Sequence, residues 1–216
     1  MVDFTLYLIT DRKQVAGGDL CRAVESALRG GVRAVQLREK DLSGRELYEL
    51  ACRVRFLTSR YGAKLLINDR LDTALAVGAD GVHLGESSMP VERVREIAGE
   101  GMLIGVSCHA LPGALAAREG GADFITFSPV YYTPSKAGYG EPVGPECLAE
   151  ACRRLDIPVF ALGGIKPENV RAVLDRGASG IALISAILAA GDPEGAAREM
   201  LELLAKGEGP KAKGNG

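Results

Sequence analysis

The phrase Gly30-Gly-Val-Arg-Ala-Val35 recurs in altered form along the chain, as Gly78-Ala-Asp-Gly-Val82, Gly120-Gly-Ala-Asp-Phe-Ile125 and Gly177-Ala-Ser-Gly-Ile181. Each copy follows a stretch with the apolar spacing of a helix and leads into a short run rich in β-formers. A glycine can adopt the positive φ that ends a helix and turns the chain into a buried strand. The repetition therefore predicts a chain of alternating helices and strands.

Eight short apolar runs are the predicted strands, and each is continuous, as expected for parallel strands covered on both faces. They are Thr5–Thr10, Ala34–Leu37, Lys64–Ile67, Gly81–Leu84, Leu103–Ser107, Phe124–Phe127, Val159–Leu162 and Gly180–Ile184. Helical patterns separate them. The longest, Ser43–Tyr61, begins with a Ser-x-x-Glu capping box formed by Ser43 and Glu46. Prolines at the expected first turns of three other helices agree with this division, at Pro90, Pro167 and Pro193.

This alternation predicts an α/β fold, a single-domain (β/α)8 TIM barrel over residues 1–205. The alternative is an open, doubly wound parallel sheet, but the first strand is not followed by the Gly-x-Gly-x-x-Gly of dinucleotide-binding folds. Residues 206–216 are rich in glycine and lysine and cannot bury a core, so we expect a disordered tail.

Composition narrows the classes of function. The 216 residues carry a net charge of -2, which argues against a nucleic-acid or membrane-surface partner. No apolar run approaches the ~20 residues that span a bilayer, and the N-terminal residues lack the pattern of a signal peptide. The five cysteines are scattered without a Cys-x-x-Cys pair, and only two histidines are present. We therefore expect free thiols in a reducing cytoplasm and no zinc site.

In a TIM barrel the carboxyl ends of the strands carry function. After strand 2, alternation places Gln36, Arg38 and Lys40 on one side, a set suited to a diphosphate. After strand 3, Asn68 and Asp69 suit a Mg²⁺ that bridges phosphate oxygens. The alternatives are a solvated loop for the cations and a helix N-cap for Asp69.

Polar residues also follow the later strands. Strand 5 ends in Ser107-Cys-His109, whereas His83 lies within strand 4 and is expected to pack inside the barrel. The long loop after strand 6 holds Lys136 between prolines and glycines, which indicates a lid, or otherwise a generic surface loop. Glycines after strand 7 and the chain after strand 8 predict a phosphate site at Gly163-Gly164 and Ile184-Ser185. The residues thus predict two anion sites for phosphorylated small molecules.

Seven motifs recur in order across nearly the whole chain: Gln36–Lys40, Ile67–Arg70, Gly81–Gly85, Gly105–Ser107, Thr133–Lys136, Gly163-Gly164 and Ile184-Ser185. Together they resemble the thiamine phosphate synthase family and its relatives, the thiazole tautomerases. That family joins hydroxymethylpyrimidine diphosphate to a plain or carboxylated thiazole phosphate, forming thiamine phosphate and diphosphate.

The resemblance assigns roles position by position. It implies that the pyrimidine diphosphate binds to Gln36, Arg38, Lys40, Asn68, Ser107 and Lys136. It implies that the thiazole phosphate binds to Thr133, Ser135, Gly164, Ile184 and Ser185, and that Mg²⁺ binds to Asp69. Catalysis is then assigned to Arg38, Lys40, Ser107 and Lys136. A homodimer would be usual for the family.

One position departs from the family pattern. After His-Leu-Gly the synthases carry Gln-x-Asp, whose aspartate is the second Mg²⁺ ligand, whereas this chain has Glu86-Ser87-Ser88. Either Glu86 substitutes as the ligand, or the metal is held more weakly, or the chain is a metal-independent thiazole tautomerase with His109 as its acid and base. A non-catalytic barrel that binds phosphate ligands is a further alternative.

Overall fold

The computed structural model describes residues 2–133 and 141–207. Eight parallel strands close into a barrel in which each strand pairs with its neighbours in chain order and β8 pairs with β1. The strands are β1 Leu6–Ile9, β2 Ala34–Leu37, β3 Lys64–Asn68, β4 Gly81–Leu84, β5 Leu103–Cys108, β6 Phe124–Phe127, β7 Val159–Leu162 and β8 Gly180–Leu183. The predicted barrel is confirmed, with strand ends displaced by at most one residue, and the open sheet is excluded.

Helices cover the outside of the barrel. In the described residues the α-helices are α1 Leu20–Arg29, α2 Gly44–Arg60, α3 Leu71–Val77, α4 Val91–Ala98, α5 Leu111–Glu119, α6 Gly144–Arg154, α7 Val170–Leu174, α8 Ser185–Leu188 and α9 Pro193–Gly207. Short 3-10 turns lie at Arg12–Gln14 and Pro167–Asn169. None of these helices has the length and apolar character that would let it cross a bilayer.

The local signals in the sequence explain where helices begin and end. Ser43 accepts from the backbone N–H of Glu46, while the Glu46 carboxylate accepts from the N–H of Ser43, so the predicted capping box forms. In the repeated phrase the glycine with positive φ is the second of a Gly-Gly pair at Gly31 and Gly121. Such a residue turns the chain from a helix into the next strand without steric cost.

Two apolar clusters hold the barrel together. The larger one lies between strands and helices, and the smaller one fills the inside of the barrel with Phe4, Tyr7, Phe124 and Phe160 among its members. Gly105 makes this interior possible, because a Cβ there would lie 2.5 Å from His83 Nδ1 and from Phe124 Cζ. The aromatic side chains of this smaller cluster do not fill the barrel at the carboxyl ends of the strands.

The last helix, α9, runs through Gly207. The predicted tail of residues 206–216 therefore shares its first two positions with α9, and the others lie outside the described residues. All five cysteines are free thiols, as expected.

Candidate active site

Two adjoining cavities open at the carboxyl ends of the strands. The first, of about 390 Å³, is here named the cation cavity. It is lined by Ile9, Asp11, Gln14, Gln36, Arg38, Lys40, Asn68, Gly85, Glu86, Ser87, Ser107, His109, Leu162 and Ile184. The sequence prediction that strands 2, 3 and 5 send polar side chains to one place is therefore correct for six residues: Gln36, Arg38, Lys40, Asn68, Ser107 and His109.

The charges of the cation cavity are mixed. Arg38 and Lys40 contribute two positive charges, and among the described residues neither side chain makes an ion pair. Asp11 and Glu86 contribute two carboxylates. An anionic ligand at Arg38 and Lys40 would thus face nearby negative charge, which a bound cation would neutralise.

A buried chain of hydrogen bonds lies beneath this cavity. Gln36 Nε2 donates to the Tyr7 hydroxyl at 3.2 Å, and that hydroxyl lies 3.3 Å from His83 Nδ1. His83 Nε2 lies 3.0 Å from Ser107 Oγ, which also accepts from Thr126 Oγ1 at 3.3 Å. With Tyr7 donating to Nδ1 and His83 donating from Nε2, every contact is satisfied. The hydroxyl proton of Ser107 is then left to donate into the cavity.

Burial keeps this chain uncharged. Desolvation, together with the positive charge of Arg38, lowers the pKa of His83 to about 3. Desolvation also raises the pKa of Tyr7 far above its ordinary value. His83 packs inside the barrel, as the sequence predicted. Its contact with Ser107, which the sequence prediction missed, connects it to the cavity.

His109, unlike His83, is held by a backbone carbonyl. Its Nδ1 lies 2.6 Å from the backbone carbonyl of Ser128, and because a carbonyl only accepts, Nδ1 carries the proton. In the neutral ring, Nε2 is then an unprotonated acceptor. His109 lines the cation cavity, so this arrangement presents a base to a ligand there.

Asp69 lies beside the cation cavity rather than in its lining. It lines a smaller cavity of about 240 Å³ that shares Lys40 and Asn68 with the cation cavity. Its backbone is left-handed, with φ 66°, and its N–H donates to the His83 carbonyl at 2.9 Å. The alternative that Asp69 caps the next helix is wrong, because Arg70 is the N-cap of α3 and provides no side-chain cap.

The loop after β4 contains Ser88, the residue that stands where the synthases have an aspartate. Ser88 Oγ accepts a hydrogen bond from the backbone N–H of Gly85 at 2.7 Å, which closes a tight turn. Ser88 therefore stabilises the loop, whereas Glu86, which lines the cation cavity, is the carboxylate that this loop offers. Among the described residues no three His, Cys, Asp or Glu side chains cluster as a metal site.

The second cavity, of about 490 Å³, is here named the glycine cavity. It is lined by Gln14, Tyr132, Thr133, Leu162, Gly163, Gly164, Ile165, Lys166, Ala182, Leu183, Ile184, Ser185 and Ala186. The predicted phosphate-site residues Thr133, Gly164, Ile184 and Ser185 thus lie together. A Cβ on Gly164 would lie 2.6 Å from the Tyr132 carbonyl oxygen, so only glycine lets these two backbones approach.

The sequence prediction missed several lining residues. Lys166 adds a cation to the glycine cavity, and Asp11 and Gln14 come from the loop after β1. The signal was present, because Thr10-Asp-Arg12 is a polar strand end of the same kind as those after β2 and β3. Ser135 and Lys136, and with them most of the predicted lid, lie outside the described residues.

Comparison with known proteins agrees with the family resemblance of the sequence motifs. Residues 6–187 match the family described as thiamine monophosphate synthase. A protein of Geobacter sulfurreducens named "Putative thiamine-phosphate synthase" is 64% identical over 203 residues, which are 94% of this chain and 95% of that protein. The thiamine-phosphate synthase of Clostridium novyi is 43% identical over 94% of this chain and 99% of its own length.

A solved structure agrees with these relatives. Thiamine phosphate pyrophosphorylase from Pyrococcus furiosus is 40% identical to this chain and superposes with a TM-score of 0.87. The match covers 95% of this chain and 97% of that one. The resemblance therefore extends over the barrel and both cavities.

Proposed function

The chain belongs to the thiamine monophosphate synthase family, a family of transferases, and we propose that it joins hydroxymethylpyrimidine diphosphate to a thiazole phosphate. The products are thiamine phosphate and diphosphate. The observation that carries this proposal is the pair of adjoining cavities, one with Arg38 and Lys40 and the other with Gly164 and Ser185. Two phosphorylated substrates can thus lie side by side at one barrel mouth.

The cation cavity suits the diphosphate. The Arg38 guanidinium can bind two phosphate oxygens at once, and Lys40 adds a point charge. Asn68 and Ser107 offer neutral donors beside them. With His83 and Thr126 donating to the Ser107 oxygen, the Ser107 hydroxyl proton is free to bind a phosphate oxygen.

The glycine cavity suits the thiazole phosphate. Gly163 and Gly164 both have positive φ, and glycines of this kind let backbone N–H groups approach a phosphate. Ser185 and Thr133 add hydroxyls, and Lys166 adds a positive charge. Ser135 and Lys136 belong to the proposed lid, with Lys136 assigned to the diphosphate by the family resemblance.

The reaction needs electrostatic stabilisation and positioning more than an enzyme nucleophile. The bond between the pyrimidinyl methylene carbon and the diphosphate oxygen breaks, and its electron pair leaves with the diphosphate. Arg38 and Lys40 stabilise that negative charge. The thiazole nitrogen, held by its anchored phosphate, then bonds to the methylene carbon. Exclusion of water protects this carbon until the new bond forms.

A Mg²⁺ in the cation cavity would be held by Glu86, together with Asp69 from the adjoining smaller cavity. Mg²⁺ in proteins is commonly held by one or two carboxylates together with substrate phosphates, and Glu86 and Asp69 follow neighbouring strands. Such an ion, when bound, would neutralise charge on the departing diphosphate. Glu86 otherwise places a negative charge in the cavity of an anionic substrate, and this supports a bound cation there.

Two substitutions, one in each cavity, test the proposal. We expect Arg38→Ala to lower kcat by about 10²- to 10³-fold, as loss of a donor to developing charge does. We expect Lys166→Ala to raise the KM for the thiazole phosphate about tenfold, with little change in the KM for the diphosphate substrate. The reverse pattern, or no effect of either variant, would overturn the assignment of the cavities.

The geometry of His109 favours a second, lesser activity. With Nδ1–H held by the Ser128 carbonyl, the Nε2 acceptor of the neutral ring suits proton transfer, which is what isomerisation of a carboxylated thiazole phosphate to its aromatic tautomer requires. A His109→Gln variant that keeps synthase turnover with the aromatic substrate but loses turnover with the non-aromatic tautomer would support this activity. Equal turnover with both tautomers would refute it.

We also propose that the enzyme works in the cytoplasm, because five free thiols suit a reducing compartment. The homodimer stays a prediction.

A further inference from the structure

A short segment connects the two cavities across the barrel mouth. Residues 11–16, here named the bridge segment, follow β1 and contain the 3-10 turn Arg12–Gln14. The backbone N–H of Arg12 lies 3.1 Å from each oxygen of the Glu39 carboxylate, which is almost fully buried. Glu39 lies between Arg38 and Lys40, so this contact fixes the bridge segment to the loop of the cation cavity.

The other end of the bridge segment is fixed to the glycine cavity. The N–H of Ala16 donates to the carbonyl of Leu188 at 2.9 Å. Leu188 is the last residue of α8, the helix that Ser185 begins. The bridge segment is therefore anchored to one element of each cavity.

Gln14 lies where the cation cavity and the glycine cavity meet. Among the described residues, three side chains line both cavities, namely those of Gln14, Leu162 and Ile184. The last two are apolar, so within residues 2–133 and 141–207 Gln14 is the polar side chain common to the two linings. A group at this junction can contact both substrates at once.

Hydrogen bonding fixes which way the Gln14 amide faces. Gln14 Nε2 lies 2.6 Å from Asp11 Oδ2. An ionised carboxylate only accepts, so the nitrogen must face Asp11 and Oε1 must face away from it. Asp11 is itself held by the backbone N–H of Lys13 at 3.1 Å. The Oε1 acceptor of Gln14 is thus pre-oriented, and it can bind an amino group such as the one on the pyrimidine ring.

We propose that Gln14 is a positioning residue that holds the two substrates in register, so that the thiazole nitrogen reaches the methylene carbon before water does. This inference rests on the proposed function. When the carbon–oxygen bond to diphosphate breaks, the carbon can bond to the thiazole nitrogen or to water. Capture by water, with loss of one proton, yields hydroxymethylpyrimidine. Loss of register therefore releases diphosphate without forming thiamine phosphate.

The experiment compares wild type, Gln14→Ala and the control Lys13→Ala, a neighbour whose exposed side chain pairs with Asp41 and lines neither cavity. Diphosphate and thiamine phosphate are quantified in the same reaction, and the binding of each substrate alone is measured by calorimetry. For Gln14→Ala we expect kcat to fall about 10- to 100-fold, with each separate Kd changed less than about threefold. We expect its ratio of diphosphate to thiamine phosphate to exceed one, whereas the ratio stays at one for wild type and Lys13→Ala.

A Glu39→Gln variant tests the anchor of the bridge segment, and we expect a ratio above one there too. A ratio of one in Gln14→Ala overturns the inference, whether kcat is unchanged or lowered, because a structural defect lowers both products together. A wild type that forms no thiamine phosphate overturns the proposed function and this inference with it. If the ratio of diphosphate to thiamine phosphate is one both in wild type and in Gln14→Ala, this inference alone is overturned.

Discussion

Tyr7→Phe removes a single oxygen from the hydrogen-bond chain beneath the cation cavity. The Tyr7 hydroxyl accepts from Gln36 Nε2 and contacts His83 Nδ1, and all three side chains are at most 1% exposed. The substitution removes the Tyr7 partner of two buried nitrogen atoms, Gln36 Nε2 and His83 Nδ1. Each such atom costs about 1–3 kcal/mol, so we expect the free energy of unfolding to fall by about 2–6 kcal/mol.

Tyr61→Phe is the matched control. The Tyr61 hydroxyl donates to Glu25 at 3.2 Å on a half-buried surface, where water can replace the lost contact. We expect this variant to lose less than about 1 kcal/mol. Urea unfolding followed by far-UV circular dichroism gives both values under identical conditions.

Tyr7→Phe and Tyr61→Phe should also differ in enzymatic activity. Tyr7→Phe frees Gln36, which lines the cation cavity, and releases His83, which orients Ser107. We therefore expect a lower kcat/KM for the diphosphate substrate in Tyr7→Phe and an unchanged value in Tyr61→Phe. Equal stability losses in the two variants would refute the reasoning, because they would mean that the buried chain is not a fully paired network.

Two further predictions concern a proposed metal ligand and the thiols. Glu86→Gln should raise the Mg²⁺ concentration for half-maximal activity about tenfold, since one charged ligand is lost, and an unchanged Mg²⁺ requirement would exclude Glu86 as a ligand. Cys108 should resist iodoacetamide near neutral pH while exposed Cys52 reacts, because burial and the Glu86 charge raise the pKa of Cys108 to about 12. Mass spectrometry of the native protein would disprove this if Cys108 were labelled as fast as Cys52.

The sequence was sufficient for the barrel because its signals are local. Glycines such as Gly31 and Gly78 terminate helices, and continuous apolar runs mark buried parallel strands. Strand ends also indicated Arg38 and Lys40, because alternation along β2 alone determines their side. These features depend on neighbours in the chain rather than on distant contacts.

Distant contacts determine what the sequence did not show. The pairing of Glu39 with the Arg12 backbone joins two loops, and nothing local to either loop indicates it. The link from His83 to Ser107 depends on the register between β4 and β5 and on the small volume of Gly105. Likewise, Asp69 has a left-handed backbone, which its residue type permits but does not require.

The most direct measurement is a single incubation of purified protein with hydroxymethylpyrimidine diphosphate, thiazole phosphate and Mg²⁺. Oxidation of the product to a fluorescent derivative quantifies thiamine phosphate. The account predicts thiamine phosphate that forms with Mg²⁺, that is lost with EDTA and that falls sharply in Arg38→Ala. Absence of thiamine phosphate, together with isomerisation of the carboxylated thiazole phosphate, would contradict it and would leave His109 as the centre of the chemistry.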